Sequence, residues 1–303
     1  MPPLVSVIIP FQSETDQLQE CLQSLASQTF KNFEIILIAD GASEAAIDVA
    51  KKFEWPFKNL IIIPISVKQS HARNIGITEA NGKYIAIQDA DDYSLPNRFE
   101  LQVKFLKSHP NISIVGGAAT LRNAKHKWDV CSGNKDICDQ LALNNPMIHS
   151  TIMIRKEVLV NHPYDNTYNT AEDYALFSKI KGQYKMANID ESLIIYKEPE
   201  PNKPSFLDQR MKARILREQN NQGILEKYVT ALHYFSELTR PIENNEMVYL
   251  KNWFEVNHGS TVFNDQFLRY GLKYPSYCAK SQLIKAWAGS KLMRKTSVLK
   301  RLF

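Results

Sequence analysis

The sequence has few cysteines and no long apolar segment. Its four cysteines, Cys21, Cys131, Cys138 and Cys278, are widely scattered, which argues against a zinc site or a disulfide framework and favours reduced thiols. Apolar runs such as residues 59–67 are much shorter than the roughly 20 residues that cross a bilayer. The first residues lack the charged and apolar regions of a signal peptide. We therefore expect a cytoplasmic protein.

The sequence also lacks a glycine-rich phosphate-binding loop. Gly116-Gly117 is the only pair of adjacent glycines, and no lysine follows it at the required spacing. A dinucleotide-binding enzyme and a P-loop enzyme are therefore both disfavoured.

Acidic residues are missing from the end of the chain. Residues 266–303 contain nine Lys or Arg and no Asp or Glu. Because the whole chain has a formal charge of +5, residues 1–265 carry a net charge of −4. The positive charge belongs to the tail, and this distribution disfavours nucleic acid as a partner.

The first 120 residues alternate between β-branched apolar runs and segments with helical periodicity. This pattern predicts βαβ units and an α/β fold with a mostly parallel sheet. We expect Ser70 to cap the third helix and Gly82 to supply a left-handed residue near its end. The predicted strands cover residues 5–10, 33–39, 60–65 and 84–88.

Two acidic clusters follow predicted strands. Asp40 follows the second strand, and Asp89-Ala90-Asp91-Asp92 follows the fourth. Ligands of open α/β sheets bind at the carboxyl ends of the strands, and crowded carboxylates favour a bound divalent cation. An exposed acidic turn that caps the following helix explains the second cluster equally well.

Seven segments stand in a characteristic order along the chain. They are VSVIIP (5–10), ADGAS (39–43), ARNIG (72–76), NGKYI (81–85), DADD (89–92), NPMIHST (145–151) and AEDYAL (171–176). Together these segments, which include the DXD motif Asp89-Ala90-Asp91, resemble family-2 glycosyltransferases of the GT-A fold, and the resemblance covers residues 4–197.

The resemblance implies a nucleotide-sugar donor and a Mn²⁺ or Mg²⁺ cofactor. Asp91 would bind the metal, and Asp89 would lie near the ribose and assist the metal shell. Asp40 would accept a hydrogen bond from the base, which is most often uracil in this family. Pro10 and Arg73 would lie on the donor side. From its residue type alone, Arg73 could equally pair with structural carboxylates.

The resemblance also implies an inverting reaction in which Asp173 is the catalytic base. His149 and Glu172 would lie on the acceptor side, where Glu172 would orient the acceptor or a backbone group. The residues alone allow other interpretations. Glu172-Asp173 could be an ordinary acidic helix N-terminus, and His149 could be a structural histidine in an apolar segment.

The chain departs from the family pattern at several positions. Gln12-Ser13 and Ala39-Asp40 replace a Tyr-Asn pair and an Asp pair, and Lys68 replaces a glycine. The segment Tyr196-Lys197-Glu198 lacks the histidine that often completes the metal shell. Glu198 or Glu200 would have to substitute for that histidine.

The composition changes near residue 204, after the proline-rich segment 198–204. We predict a catalytic domain over residues 1–204 and a helical C-terminal extension with a basic tail over residues 205–303. The tail has apolar residues at helical spacing, so it could bind the inner face of a membrane peripherally or pack on the protein. Oligomerisation is left open.

The predicted function is transfer of a hexosyl or N-acetylhexosaminyl group to a glycan or lipid-linked acceptor, as in polysaccharide biosynthesis. Two alternatives from other classes remain. One is a non-catalytic nucleotide-sugar binder of the same fold. The other is a sugar nucleotidyltransferase, although no basic glycine-rich loop follows Pro10.

Overall fold

The computed structural model of the chain describes residues 2–13, 15–54, 60–123, 126–168, 170–198, 204–226, 229–238, 241–258 and 260–274, together with Gln282 and Ala286. The chain divides into two compact units. The first comprises Met1–Asn134 and Met147–Lys212, and the second comprises the described residues within Lys135–Pro146 and Ala213–Phe303. Of the basic tail predicted to bind membranes, residues 266–274, Gln282 and Ala286 are described, and the others lie outside the described residues. No described helix is long and apolar enough to cross a membrane.

A single nine-stranded sheet, counted over the described residues, organises the first unit. Its order is β3-β2-β1-β4-β8-β6-β9-β5, and β7 pairs with the end of β6. The strands are β1 (Val5–Phe11), β2 (Phe33–Asp40), β3 (Leu60–Ile65), β4 (Tyr84–Ile87), β5 (Tyr93–Ser94), β6 (Ile112–Leu121), β7 (Lys127–Trp128), β8 (Met153–Arg155) and β9 (Lys185–Tyr196).

The sheet is mostly parallel, and β1 lies at the centre of its first half. This strand pairs in parallel with both β2 and β4, and all of its residues are buried. A strand buried on both faces is expected for a continuous β-branched apolar run. β8, β5 and β7 pair antiparallel with their neighbours, whereas β6 and β9 are parallel.

Helices cover the sheet of the first unit. Apolar side chains of α1, α2 and α4 form one core with the inner residues of β1 and β2. Burial of such side chains is the main stabilising contribution to the fold. The helices are α1 (Thr15–Ala26), α2 (Glu44–Lys52), α3 (Gln69–Glu79), α4 (Arg98–Ser108), α6 (Lys156–Asn161) and α7 (Glu172–Ile180), with a 3-10 helix at His149–Thr151.

Two predictions about α3 are wrong. The residue that precedes the helix is Lys68, without a side-chain cap, and Ser70 lies inside the first turn. Gly82 does not adopt a left-handed conformation, since the described glycines with positive φ are Gly41, Gly182 and Gly223. Gly82 is needed for close packing instead, because a Cβ there would lie 2.6 Å from the backbone nitrogen of Ser6.

The second unit is helical over its described residues. Phe235, Leu250, Phe254, Phe263 and Tyr270 are buried in its core. The remaining helices of the chain are α5 (Asn134–Gln140), α8 (Pro204–Asn220), α9 (Val229–Glu237), α10 (Asn244–Asn257) and α11 (Ser260–Lys273).

The described cysteines Cys21, Cys131 and Cys138 form no disulfide. The predicted α/β fold with its mostly parallel sheet is confirmed.

Candidate active site

The acidic turn after β4 is held in place by a buried glutamine. The Nε2 atom of Gln88 donates hydrogen bonds to the carbonyl oxygens of Asp89 and Asp92 at 2.9 and 3.0 Å. Its Oε1 atom accepts from Nη1 of Arg98 at 2.6 Å. Arg98 is fully buried, and burial lowers the pKa of its guanidinium to about 10. This cation lies beneath a turn that carries three carboxylates, so it offsets part of their mutual repulsion.

Arg73 joins two of the predicted site residues. The side chain lies in α3 and is 1% exposed. Its Nη2 atom is 2.8 Å from Oδ1 of Asp89, and its Nη1 atom is 2.5 Å from Oε1 of Glu172. The Nε atom of Arg73 has no hydrogen-bond partner in the described part of the chain. Arg73 therefore links the acidic turn after β4 to the first residue of α7.

His149 lies near the same oxygen of Glu172 that Arg73 contacts. Its Nδ1 atom is 3.9 Å from Oε1 of Glu172, and its Nε2 atom is 2.8 Å from the hydroxyl of Tyr164. Burial and the positive charge of Arg73 lower the pKa of His149 to about 3. The imidazole is therefore neutral at physiological pH. Burial raises the pKa of the Tyr164 phenol, so this pair is uncharged.

Asn74 fixes the position of Tyr164. Its side-chain amide donates to the carbonyl oxygen of Tyr164 at 2.8 Å and accepts from the backbone nitrogen of Tyr164 at 2.9 Å. This pair of hydrogen bonds fixes the backbone of Tyr164 relative to α3. Arg73 and Asn74 are adjacent in α3, so this helix positions both the carboxylates and the Tyr164–His149 pair.

Asp173 follows Glu172 at the start of α7. The residue before the helix, Ala171, has a left-handed backbone with φ of 59°, which is uncommon for a residue with a side chain. Burial, followed by the charge of Glu172, raises the pKa of Asp173 to about 7. Its carboxylate also accepts a hydrogen bond from the backbone nitrogen of Tyr174 at 2.8 Å. The pKa of Asp173 therefore lies in the range that suits a general base near neutral pH.

Asp91 and Asp92 have different environments. Asp92 is buried, its Oδ1 atom accepts from the backbone nitrogen of Lys197 at 2.9 Å, and burial raises its pKa well above the usual range. The side chain of Asp91 is 38% exposed, and its Oδ2 atom is 3.6 Å from Nζ of Lys197. Asp91 is thus the carboxylate of this pair that can reach a ligand.

The surroundings of Asp91 contain few further metal ligands among the described residues. Within the described residues, no three His, Cys, Asp or Glu side chains converge as metal ligands. Glu198, a suggested substitute for the missing histidine, accepts from the backbone nitrogen of Asn123, and Glu200 lies outside the described residues. Asp91 is an exposed carboxylate that fits a cation, which would take the place of the Lys197 ammonium 3.6 Å from its Oδ2 atom. Mg²⁺ and Mn²⁺ accept one or two carboxylates when phosphate and water supply the other ligands.

The remaining donor-side residues lie apart from the Arg73 contacts. Asp40 ends β2, is 4% exposed, and accepts from the backbone nitrogen of Val67 at 2.7 Å. Pro10 lies in β1 and is paired with Ile38. In the described part of the structure, Arg73 forms ion pairs with Asp89 and Glu172 and none with Asp40.

Sequence reasoning missed Gln88, Asn74 and Tyr164 as supports of the site. Gln88 directly precedes the acidic turn, and Asn74 directly follows Arg73. For both residues, the signal in the sequence was their position next to a candidate site residue. Tyr164 carries no such signal, because only the folded chain brings it to His149.

The nine-stranded α/β sheet with an acidic turn after β4 defines the GT-A class of glycosyltransferases. The family model "Glycosyl transferase family 2" matches residues 6–175, and the chain belongs to this family. The predicted membership and the predicted GT-A fold are both confirmed.

Characterised and uncharacterised relatives share this assignment. An uncharacterized glycosyltransferase of Methanocaldococcus jannaschii is 27% identical over 229 residues, which is 70% of this chain and 76% of that protein. The amylovoran biosynthesis glycosyltransferase AmsE of Erwinia amylovora is 29% identical over 202 residues, which is 63% of this chain and 75% of that protein.

Solved structures show the same fold at low sequence identity. A shorter form of S. aureus TarS in complex with UDP-GlcNAc has a TM-score of 0.60 at 16% identity, covering 94% of this chain and 89% of that chain. The chain spans 54% of the longer TarS chain. The mannosyltransferase PcManGT from Pyrobaculum calidifontis, in complex with GDP-Man and Mn²⁺, has a TM-score of 0.52 at 15% identity. The match covers 99% of this chain and 83% of that chain.

Proposed function

We propose that the protein transfers a hexosyl or N-acetylhexosaminyl group, with inversion, from a UDP-sugar to a hydroxyl of a glycan or lipid-linked acceptor. The observation that carries this proposal is the Arg73 bridge, which joins Asp89 of the acidic turn to Glu172, the neighbour of Asp173. A donor held at the turn would then lie within the same site as the base. The solved complexes of TarS with UDP-GlcNAc and of PcManGT with GDP-Man support a nucleotide-sugar donor.

The donor side is formed by residues at the ends of β2 and β4. Asp40 would bind the base beside Pro10, and Asp89 would lie near the ribose. Asp91 and Asp89 would hold Mn²⁺ or Mg²⁺ together with the donor diphosphate. The bound ion would stabilise the negative charge that develops on the leaving nucleoside diphosphate. Arg73 keeps Asp89 oriented through its ion pair with that carboxylate.

Asp173 would accept the proton of the acceptor hydroxyl as that oxygen attacks the anomeric carbon. Attack on the face opposite to the leaving group inverts the anomeric configuration. The raised pKa of Asp173 makes its carboxylate a stronger base than an ordinary aspartate.

Glu172 would act through the groups that it holds. The carboxylate of Glu172 is engaged in an ion pair with Arg73. This ion pair would position α7 and hence Asp173. His149 is neutral and hydrogen-bonded to Tyr164, so it would contribute a polar contact to the acceptor side without carrying charge.

A donor screen tests this function. The purified chain is incubated with UDP-sugars and GDP-sugars, with Mn²⁺ or Mg²⁺ and then with EDTA. We expect metal-dependent release of UDP from one UDP-sugar, by slow hydrolysis without acceptor and faster with a suitable glycan. Pyrophosphate exchange instead of UDP release would identify a nucleotidyltransferase. Tight donor binding without any release would identify a non-catalytic binder.

A further inference from the structure

Trp128 is an aromatic side chain on the surface of the first unit. It is 42% exposed, and it is the only exposed Trp, Tyr or Phe side chain among those that the structure describes. Tryptophan is enriched at binding interfaces, because its indole ring offers a large apolar face together with an N–H donor.

A short strand of two residues holds Trp128 in place. It lies in β7, where it is paired with Ala119 of β6, and Lys127 is paired with Thr120. The Nζ atom of Lys127 donates to the carbonyl oxygen and to Oδ1 of Asp190, at 2.9 and 2.8 Å. These contacts tie β7 to β9. The indole is therefore presented by an ordered element.

Tyr196 connects Trp128 to the acidic site. The two ring centroids are 5.6 Å apart with an interplanar angle of 72°, and the rings come from strands on opposite sides of β6. The next residue, Lys197, contacts both Asp91 and Asp92. Burial and the carboxylates of Asp92, Asp89, Asp91 and Asp173 raise the pKa of the Tyr196 phenol, which agrees with this proximity.

We propose that Trp128, braced edge-to-face by Tyr196, forms a platform on which a pyranose ring of the acceptor glycan stacks. This inference rests on the proposed glycosyl transfer. The sheet order places the platform on the acceptor side, because Asp40 of the donor side ends β2, whereas β6, β7 and β9 lie beyond β4 in the other direction. A sugar on the platform would thus approach the acidic turn from the side opposite to the nucleoside.

The chemistry around the platform suits a sugar. An aromatic face packs against the C–H groups of a pyranose, and nearby polar groups bind its hydroxyls. Asp129 and Asp190, each partly exposed, supply hydrogen-bond acceptors at the rim. The same carboxylates disfavour insertion of Trp128 into an anionic membrane, since they would lose hydration and be repelled.

Binding of simple sugars by the full chain tests the platform. The probes are methyl α- and β-pyranosides of glucose, galactose, mannose and N-acetylglucosamine, with UDP and Mg²⁺ present, and the readout is saturation transfer to the sugar C–H protons. We expect binding by the wild type, a loss of affinity of about tenfold or more in Trp128→Ala, and retention within about threefold in Trp128→Phe. Val160→Ala changes another exposed apolar residue of the same unit and should bind as the wild type does.

Two results would overturn the platform. One is equal affinity of Trp128→Ala and wild type for every pyranoside that binds, and the other is absence of saturation transfer to all eight probes in the wild type. The affinity for UDP is measured in the same samples. Failure of the wild type to bind UDP would count against the proposed function, whereas unchanged UDP affinity in Trp128→Ala with lost pyranoside binding supports the platform specifically.

Discussion

The protonation of Asp173 determines the pH at which the proposed base is active. Its pKa is raised to about 7, first by burial and then by the charge of Glu172. A base must be deprotonated, so its active form is lost as pH falls through this value. We predict that kcat/KM for transfer rises with pH along a limb with an apparent pKa near 7, by about tenfold per pH unit below it.

Initial rates between about pH 5 and pH 9, at subsaturating donor, measure this limb. Metal binding by carboxylates also weakens in acid, so UDP affinity is measured at each pH as the control. A profile that stays flat through pH 7, with UDP affinity constant, would contradict the assignment of this pKa to the base.

Arg73 compensates two carboxylates with one buried cation. Replacing it in Arg73→Met leaves Glu172 and Asp89 without their partner, and loss of one member of a buried ion pair costs about 3–5 kcal/mol. We predict a loss of this size in the free energy of unfolding, measured with urea. In the double variant Arg73→Met/Glu172→Gln, a neutral amide replaces the buried carboxylate. This variant should recover part of the lost free energy of unfolding.

The matched control for this change is Arg122→Met. Arg122 makes an ion pair of 2.9 Å with Glu20, and both side chains are partly exposed. An exposed pair contributes at most about 1 kcal/mol. Equal destabilisation by Arg73→Met and Arg122→Met would show that the Arg73 bridge stabilises the protein no more than an exposed ion pair does.

The sequence indicated the residues of the site better than their partners. Arg73, Asp89 and Glu172 could be selected from the resemblance, but Arg73 could have paired with phosphate or with carboxylates. Its partners lie 16 and 99 positions away. Such pairing depends on how α3, the turn after β4 and α7 pack together, and local sequence carries no information about it.

At the scale of elements, strands were predicted more accurately than helix ends. The predicted strand 60–65 agrees with β3, and 5–10 and 33–39 each end one residue before the observed strands. A buried parallel strand has a continuous apolar signal. Ser70 looked like a cap, but the backbone turns into α3 at Lys68, because the loop before it is fixed by the hydrogen bond between Asp40 and Val67.

Gly82 is required where the turn before β4 passes β1. An added Cβ would lie 2.6 Å from the backbone nitrogen of Ser6 and 2.8 Å from the backbone carbon of Val5. Backbone atoms of a central strand cannot move aside, so we predict that Gly82→Ala destabilises the protein by about 1–3 kcal/mol or more. Thermal unfolding measures the loss.

Lys83→Ala is the control for this substitution. Lys83 is the next residue and is exposed, so its truncation should change stability by less than about 0.5 kcal/mol. A Gly82→Ala variant as stable as Lys83→Ala would show that this turn does not approach β1 closely.

At the scale of the whole molecule, positive charge is concentrated in the tail. We propose that this tail (residues 266–303, with nine basic and no acidic residues) binds anionic lipid at the cytosolic face of a membrane through the basic residues after 286, since Phe267, Tyr270 and Ala286 are buried in the core of the second unit. Each Lys or Arg near the surface contributes about 1 kcal/mol. We predict salt-sensitive co-sedimentation of the full chain with anionic vesicles of phosphatidylglycerol and phosphatidylcholine, and none with phosphatidylcholine alone.

A charge-matched pair of variants tests the tail specifically. One variant changes Lys291, Arg294, Lys295, Lys300 and Arg301 to Gln. The other changes five exposed lysines of the first unit to Gln, namely Lys31, Lys51, Lys83, Lys104 and Lys107. Only the first should lose sedimentation, and equal loss in both would show that net charge alone determines binding.

The predicted boundary between a catalytic domain ending at residue 204 and a helical extension stays a proposal. Composition placed it at the proline-rich segment 198–204, and residues 199–203 lie outside the described part. Sequence alone predicted the helical character of the extension over residues 205–303, where α8 and α9 are found. It could not predict that residues 135–146 group with the second unit, since this depends on contacts between distant segments.

The most direct test of the proposed chemistry is the turnover of Asp173→Asn, measured beside its calorimetric affinity for UDP with Mn²⁺. The amide preserves the shape of the side chain but cannot accept a proton. The account predicts a fall in kcat of about 10²- to 10⁴-fold, with UDP affinity within a few fold of the wild type. A variant that binds UDP normally and keeps a near-normal kcat would show that Asp173 is not the base.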